Sequence, residues 1–269
     1  MSDRTIYQFG TVTIELNQVD IEAPSRWMGK GVQDFRRAFL ASLVFGLFFV
    51  VFGDAIVGGL LSVGGISLAL VSSLGFIFVS PVCCWFLYRI SRGLETDQKP
   101  GISDLLAIPL KNTRRMGPVL FVVSIIYMAW LETAVLLIGL FLGHHGNTFV
   151  AGGPLSVELI AVTVAGTMIG MLYCAVLFSL TVVTVPMQYL VYMSGFDAMR
   201  LSIRCVLLNK RVMASWAILV GFITVISLIP GFLGLVVSMP ILAYASWHAF
   251  RDLVTVTGGT DALTATQAS

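Results

Sequence analysis

The sequence predicts an all-α membrane protein: a bundle of six transmembrane helices built from three parallel helical hairpins, with both termini in the cytoplasm. Composition, six long apolar stretches and the placement of the basic residues predict this fold. Of the 269 residues, 57% are apolar and 11% are charged, whereas a soluble domain carries roughly 25% charged residues. The bilayer is therefore the predicted solvent for most of the chain.

Six stretches are long and apolar enough, or nearly so, to cross a hydrocarbon core about 30 Å thick, which takes about 20 residues of helix. They are residues 38–61, 66–88, 118–142, 159–185, 212–229 and 231–250. Their order predicts a membrane domain over residues 25–255 whose hairpins cover about 25–94, 101–192 and 195–253.

Two terminal segments lie outside this predicted membrane domain. In residues 1–24, "TVTIEL" alternates apolar and polar residues, which is the pattern of a strand that needs a partner. Ser25 is predicted to cap a short helix that runs to Arg37. The composition of residues 256–269 predicts a disordered tail.

The basic residues predict the orientation. All 16 Lys and Arg residues fall in four blocks, which are residues 4–37, 89–115 and 200–211, and Arg251. None lies in the loop that directly follows the first, the third or the fifth predicted span. Since short loops rich in Lys and Arg stay in the cytoplasm, both termini are predicted to lie on the cytoplasmic side of a bacterial inner membrane.

Two segments of the chain share a spacing that predicts an internal repeat. "GFIFVSPVCCWFLYRISRGL" begins at Gly75 and "GLVVSMPILAYASWHAFRDL" begins at Gly234, and both read Gly, five residues, Pro, ten residues, Arg. A basic doublet precedes each odd span, and each is predicted to set orientation and to contact anionic lipid. The doublets are Arg36 with Arg37, Arg114 with Arg115, and Lys210 with Arg211.

Prolines near the cytoplasmic ends of the even spans predict helix bends. These are Pro81, Pro186 and Pro240. A proline inside a helix removes one backbone hydrogen bond and bends the helix, and in lipid the neighbouring helices must satisfy the freed carbonyl.

Glu132 is the candidate intramembrane proton or ion site, because it lies close to the middle of the third span. A charged carboxylate at that depth costs about 2.5–3.5 kcal/mol on insertion scales. It can escape that cost by protonation, by facing a wet cavity, or by a hydrogen bond to Tyr127, Tyr173, a serine or a threonine. A buried hydrogen bond between helices is the alternative to a functional site. His248, near the inner end of the sixth span, is predicted to be interfacial.

Motifs for enzyme chemistry are absent from the sequence. The four cysteines form no CxxC pair, so neither a disulfide framework nor a metal site is predicted. The chain has no P-loop, GxSxG or HExxH motif. We therefore predict no catalytic residue, no metal, no cofactor, no nucleic-acid partner and no enzymatic activity.

Three segments resemble a bacterial domain-of-unknown-function family of integral membrane proteins. They are "SRWMGKGVQDFRRA", "VSPVCCWFLYRISRGLE" and "SMPILAYASWHAFRDLV", so that the resemblance covers roughly residues 24–255. Some members carry the label cytochrome c oxidase subunit I. A haem–copper catalytic subunit needs more histidine ligands within its spans than this chain's three histidines, two of which lie in an outer loop, so that activity is excluded.

Two hypotheses for the function remain. The first is a non-enzymatic accessory or assembly subunit of a larger membrane complex, such as a respiratory one, and a homo-oligomer is also open. The alternative is a small-solute or ion transporter or channel that uses Glu132. Apart from Glu132, the spans offer only scattered Ser, Thr and Tyr for a polar path, which favours the first hypothesis.

Overall fold

The computed structural model describes residues 5–9, 11–62, 83–97, 110–142 and 157–258. It is mostly helical, with one small antiparallel sheet. Its strands are β1 (Thr5–Phe9), β2 (Val12–Leu16) and β3 (Val254–Thr257). Its helices are α1 (Ala23–Arg37), α2 (Phe39–Ser62), α3 (residues 83–95), α4 (Leu110–Leu142), α5 (Val157–Thr181), α6 (Thr184–Leu190), α7 (Gly195–Leu208), α8 (Lys210–Leu228) and α9 (Leu235–Leu253).

Four described segments are long and apolar enough to cross a membrane, and the third of them runs through both α5 and α6. These are Phe39–Gly59, Met116–Leu140, Ile160–Leu190 and Lys210–Leu228, and they correspond to the first, third, fourth and fifth predicted spans. The second predicted span lies mostly outside the described residues, and so does Pro81. The sixth corresponds to α9, which is not among the four.

The sheet joins the two ends of the chain. β2 pairs with β1 on one side and with β3 on the other, so that Ile14 stands opposite both Tyr7 and Val256. The strand predicted in "TVTIEL" is β2, and its Ile14 and Leu16 are buried. β3 extends to Thr257, so the predicted boundary between the membrane domain and the tail falls inside a strand.

Helix α1 is amphipathic and packs on α9. It begins at Ala23, two residues before the predicted cap, because Pro24 fits the first turn of a helix, where its missing N–H is not needed. Trp27, Gly31 and Asp34 lie on its buried face, at the spacing that aligns residues along one side of a helix. A Cβ on Gly31 would lie 2.7 Å from the Ile241 carbonyl oxygen, so the two helices approach at backbone distance.

The core has two parts. The larger cluster includes Trp27, Trp216, Tyr244 and Trp247, and it joins α1, α8 and α9 to the sheet. The smaller lies between α4 and α5, where the ring of Trp130 packs against Tyr173 and Gly170. This second contact determines which side of α4 faces outward.

Helices α8 and α9 form a hairpin whose two ends meet the same sheet. Asn209, just before α8, donates a hydrogen bond to the Asn17 carbonyl and accepts one from the Val19 amide. The Leu253 carbonyl at the end of α9 accepts a bond from the amide of the same Asn17. The start of α8 and the end of α9 therefore lie on the same side of the molecule. If α8 crosses a membrane, α9 must cross it back to that side.

Candidate functional site

Glu132 lies on the outward side of α4. The opposite side of this helix, which includes Val123, Trp130 and Ala134, packs against α5. We call the exposed residues around Glu132 the Glu132 face. It consists of Ile125, Met128, Glu132, Val135, Leu136 and Gly139. The carboxyl thus stands among apolar groups in a segment that is apolar enough to span a membrane.

The side chain of Glu132 makes no hydrogen bond or ion pair with any other described residue. Tyr173, one of its predicted partners, is engaged elsewhere: its hydroxyl lies 3.1 Å from the Thr133 hydroxyl and donates to the Ala129 carbonyl at 3.3 Å. These bonds hold α4 against α5. Glu132 faces away from α5, so Tyr173 is not the hydrogen-bond partner that was predicted for its carboxyl.

A buried polar cluster of Asp34, Ser91 and His248 joins α1, α3 and α9. The Ser91 hydroxyl donates a hydrogen bond to Oδ2 of Asp34, and Nε2 of His248 lies 2.8 Å from the same oxygen. Asp34 is 6% exposed and Ser91 is fully buried. One carboxyl oxygen therefore ties three helices together.

The buried polar cluster does not have the geometry of a catalytic triad. In such a triad the histidine lies between the serine and the carboxylate and takes the proton of the serine. Here Ser91 and His248 both bond to the same oxygen of Asp34, so the histidine does not lie between the serine and the carboxylate. Among the described residues, no group of three or more His, Cys, Asp or Glu side chains could hold a metal ion.

Polar contacts flank this cluster on the end of α9. Trp247 Nε1 donates to Oε1 of Glu95 at 2.9 Å, and Arg251 Nε lies 3.4 Å from the same oxygen. On the other side, Trp27 Nε1 donates to Oδ2 of Asp252 at 2.8 Å. The last two turns of α9 are therefore bound to α1 and α3 by side-chain hydrogen bonds as well as by apolar packing.

The other predicted site residues are dispersed. Arg36, Arg37, Lys210 and Arg211 are exposed, and Arg37 lies 3.8 Å from Asp97. Arg114 and Arg115 fall in the first turns of α4.

Of the prolines predicted to bend helices, two lie in described residues. Pro240 lies inside α9. Pro186 lies in α6, just after a two-residue break that separates α6 from α5. The structure does not bring either proline, or Glu132, into the buried polar cluster.

Sequence reasoning missed the buried polar cluster. It took Asp34 as an acid that precedes a basic doublet, in a segment that resembles a family, and His248 as an interfacial residue. A signal was present: Asp34 lies seven residues after Trp27, on the apolar side of α1. A carboxyl in that position predicts a buried polar partner, but not which one, because Ser91 and His248 are distant in the chain.

The comparisons with known proteins give a family match over part of the chain and no activity. No curated protein matches the chain, and no solved structure matches it. Residues 66–190 match the family described as "Predicted integral membrane protein (DUF2189)". Together with the apolar helices, this match shows an integral membrane protein, and it confirms over residues 66–190 the resemblance to a domain-of-unknown-function family of membrane proteins.

Proposed function

We propose that this protein is a non-enzymatic accessory or assembly subunit that associates, through its membrane spans, with a larger membrane complex. The observation that carries the proposal is the outward position of Glu132 on α4. A carboxyl that faced the interior of the bundle would favour a transport path. A carboxyl on the outside of the bundle favours a neighbour that packs beside it.

Exposure of Glu132 to lipid would be energetically costly. Acidic residues in a span are rare, and they pair or face protein or water, because exposure of the charge to hydrocarbon costs several kcal/mol. Glu132 is flanked by exposed Met128, Val135 and Leu136, which suit lipid or a packed helix. A neighbouring span that covers this face would bury the apolar groups and supply a hydrogen bond to the carboxyl.

The proposal includes the six-span architecture, with both termini in the cytoplasm of a bacterial inner membrane. The return of the α8–α9 hairpin to the sheet supports an even number of crossings, because Asn209 and Leu253 both bond to Asn17. At about 1.5 Å per residue, the 19 residues of α9 reach about 28 Å, close to the thickness of a hydrocarbon core.

The proposed repeat is supported by one contact. Tyr88 and Trp247 occupy equivalent positions in the two similar segments, seven residues after Pro81 and Pro240, and their ring centroids lie 5.8 Å apart. Copies of a duplicated hairpin related by an axis along the membrane normal would meet through equivalent residues in this way.

The test is affinity purification of the protein from its native membrane in mild detergent, followed by native mass measurement. We expect a second polypeptide at fixed stoichiometry, retained in Glu132→Gln, which keeps a hydrogen-bonding side chain, and depleted in Glu132→Leu. Thr167→Val is the matched control, since Thr167 is an exposed polar residue of α5 whose hydroxyl bonds only its own helix.

The transporter alternative predicts different results. Reconstituted in liposomes, a proton-coupled transporter that uses Glu132 would show flux that is lost in Glu132→Gln. That loss of flux, or purification of the protein without any second polypeptide, would contradict the accessory proposal.

A further inference from the structure

We infer that the Glu132 face is the contact surface between two copies of this chain, which pack about a two-fold axis along the membrane normal with their Glu132 carboxyls hydrogen-bonded to each other. This inference rests on the proposed function in one respect, which is that the Glu132 face is covered by protein. It adds the neighbour that covers this face, which is a second copy of the chain. The unit that joins a larger complex is then a dimer, and the other polypeptide binds that dimer at another surface.

The first step is the depth of Glu132. It lies in the candidate span Met116–Leu140, four residues beyond the midpoint, which is about 6 Å along the helix axis. Two copies inserted in the same direction and related by an axis along the membrane normal place identical residues at identical depths. A two-fold interface uses the same patch on both copies, so Glu132 of one copy meets Glu132 of the other.

The second step is the chemistry available at that depth. The candidate spans of α2, α4 and α5 contain no Lys or Arg, and the span of α8 has them only at its first two residues, Lys210 and Arg211. These spans therefore offer no mid-membrane cation to pair with the carboxylate. Two protonated carboxyls are complementary: each hydroxyl donates to the carbonyl oxygen of the other, and neither charge remains in the lipid.

The third step is the shape of the surface. Gly139 lies on the Glu132 face two turns beyond Glu132, and the space where its Cβ would stand is open for 4 Å. Small residues let the backbones of two membrane helices approach closely. Met128 and Val135, one turn to either side of Glu132, are each about half exposed, and packing against the second copy would remove them from lipid.

The experiment uses the purified full-length chain in liposomes. Labelled protein is diluted over a range of lipid ratios, and the dimer fraction is measured by single-molecule photobleaching. We expect dimers in the wild type and in Glu132→Gln, whose amides can also pair. In Glu132→Leu we expect dimerisation weaker by roughly 5- to 30-fold, the factor that corresponds to the 1–2 kcal/mol of a polar contact between membrane helices. Thr167→Val should dimerise like the wild type.

Cross-linking locates the surface independently of stability. In a variant with Cys83, Cys84, Cys174 and Cys205 replaced by alanine, Met128→Cys and Val135→Cys should form disulfide-linked dimers on mild oxidation. Met168→Cys on α5, which is 64% exposed, should not. Monomers at every dilution, or equal cross-linking through α5, would overturn the inference.

The two proposals fail in different ways. A monomer in liposomes that still purifies from native membranes with a second polypeptide, lost in Glu132→Leu, would leave the accessory function standing and remove the dimer. A dimer that purifies with no other polypeptide would do the reverse.

Discussion

At the scale of single residues, the carboxyl of Asp34 is buried between three helices. A buried carboxyl is stable only when it is hydrogen-bonded, and Asp34 takes its partners from two other helices, Ser91 from α3 and His248 from α9. Removal of either partner leaves the carboxyl buried and under-satisfied, whereas replacement of the whole set by apolar groups need not be costly.

Substitution of His248 by leucine is therefore expected to lower the free energy of unfolding by about 1–3 kcal/mol, the cost of a buried group left without its partner. Thermal unfolding in detergent measures the loss. The double variant Asp34→Leu with His248→Leu should recover part of it. Arg200→Ala is the control, because Arg200 is 78% exposed in a 3.7 Å pair with Asp197 and should cost less than about 0.5 kcal/mol. Equal losses for His248→Leu and Arg200→Ala would contradict this account.

Cys205 should not react with thiol reagents in the folded protein. It is fully buried in α7, and this burial raises the pKa of its thiol to about 12. The reactive species is the thiolate, so at pH 8 only about one molecule in 10,000 carries it. A variant with Cys205 as its sole cysteine should resist maleimide until it is unfolded in detergent. Ile203→Cys in a cysteine-free background, exposed on the same helix, should react at once. Rapid labelling of Cys205 in the native state would mean that α7 opens.

At the scale of elements, α1 contains two glycines in opposite surroundings. Around Gly29 nothing lies within 4 Å of a Cβ position, whereas a Cβ on Gly31 would lie 2.8 Å from the amide nitrogen of Ala245 on α9. Both substitutions to alanine gain the same helix propensity, up to about 1 kcal/mol. Only the one at Gly31 must push α1 away from α9.

Gly31→Ala is therefore expected to destabilise the protein by about 1–3 kcal/mol, the usual cost of overpacking, while Gly29→Ala leaves the stability unchanged or slightly raised. The measurement is the midpoint of thermal unfolding for each variant. The pair shares a helix, a residue type and a chemical change, so the difference reports the contact with α9. Similar midpoints for the two variants would show that the two helices are not in backbone contact.

Local pattern predicted some elements well and others poorly. Four of the six predicted spans coincide with candidate spans, because a long apolar run is readable without knowledge of its neighbours. At Pro186 the sequence predicted a bend, and the structure has a two-residue break between α5 and α6 one turn earlier, where the proline removes a hydrogen bond of the helix. β3 was missed: four residues after a helix become a strand only because β2, some 240 residues earlier in the chain, supplies the edge.

At the scale of the whole molecule, this sheet closes the chain on itself. β2 lies near the beginning of the chain and β3 follows its last described helix. We call the sheet the base, because α1, α8 and α9 meet on it. The base is complete only when both ends of the chain are present. Contacts between such distant residues form late, because the loop between them must close first. The basic doublets Arg36 with Arg37 and Lys210 with Arg211 lie at the end of α1 and the start of α8. The orientation that they predict depends on local charge and stays a prediction, whereas the pairing of β2 with β3 depends on residues distant in the chain and could not be predicted from local pattern.

Truncation at the end of the chain tests this closure. A chain that stops after Leu253 loses β3, the burial of Val254 and the bond from Asn17 Nδ2 to the Thr255 hydroxyl. Burial of one valine alone contributes about 1.5–3 kcal/mol, so residues 5–20 should become sensitive to protease and the unfolding midpoint should fall. A chain that stops after Gly258 keeps β3 and should match the full-length protein. Because the two truncations differ by only five residues, equal proteolysis of both would show that β3 does not hold the base together, and the long-range pairing would then lose its structural role.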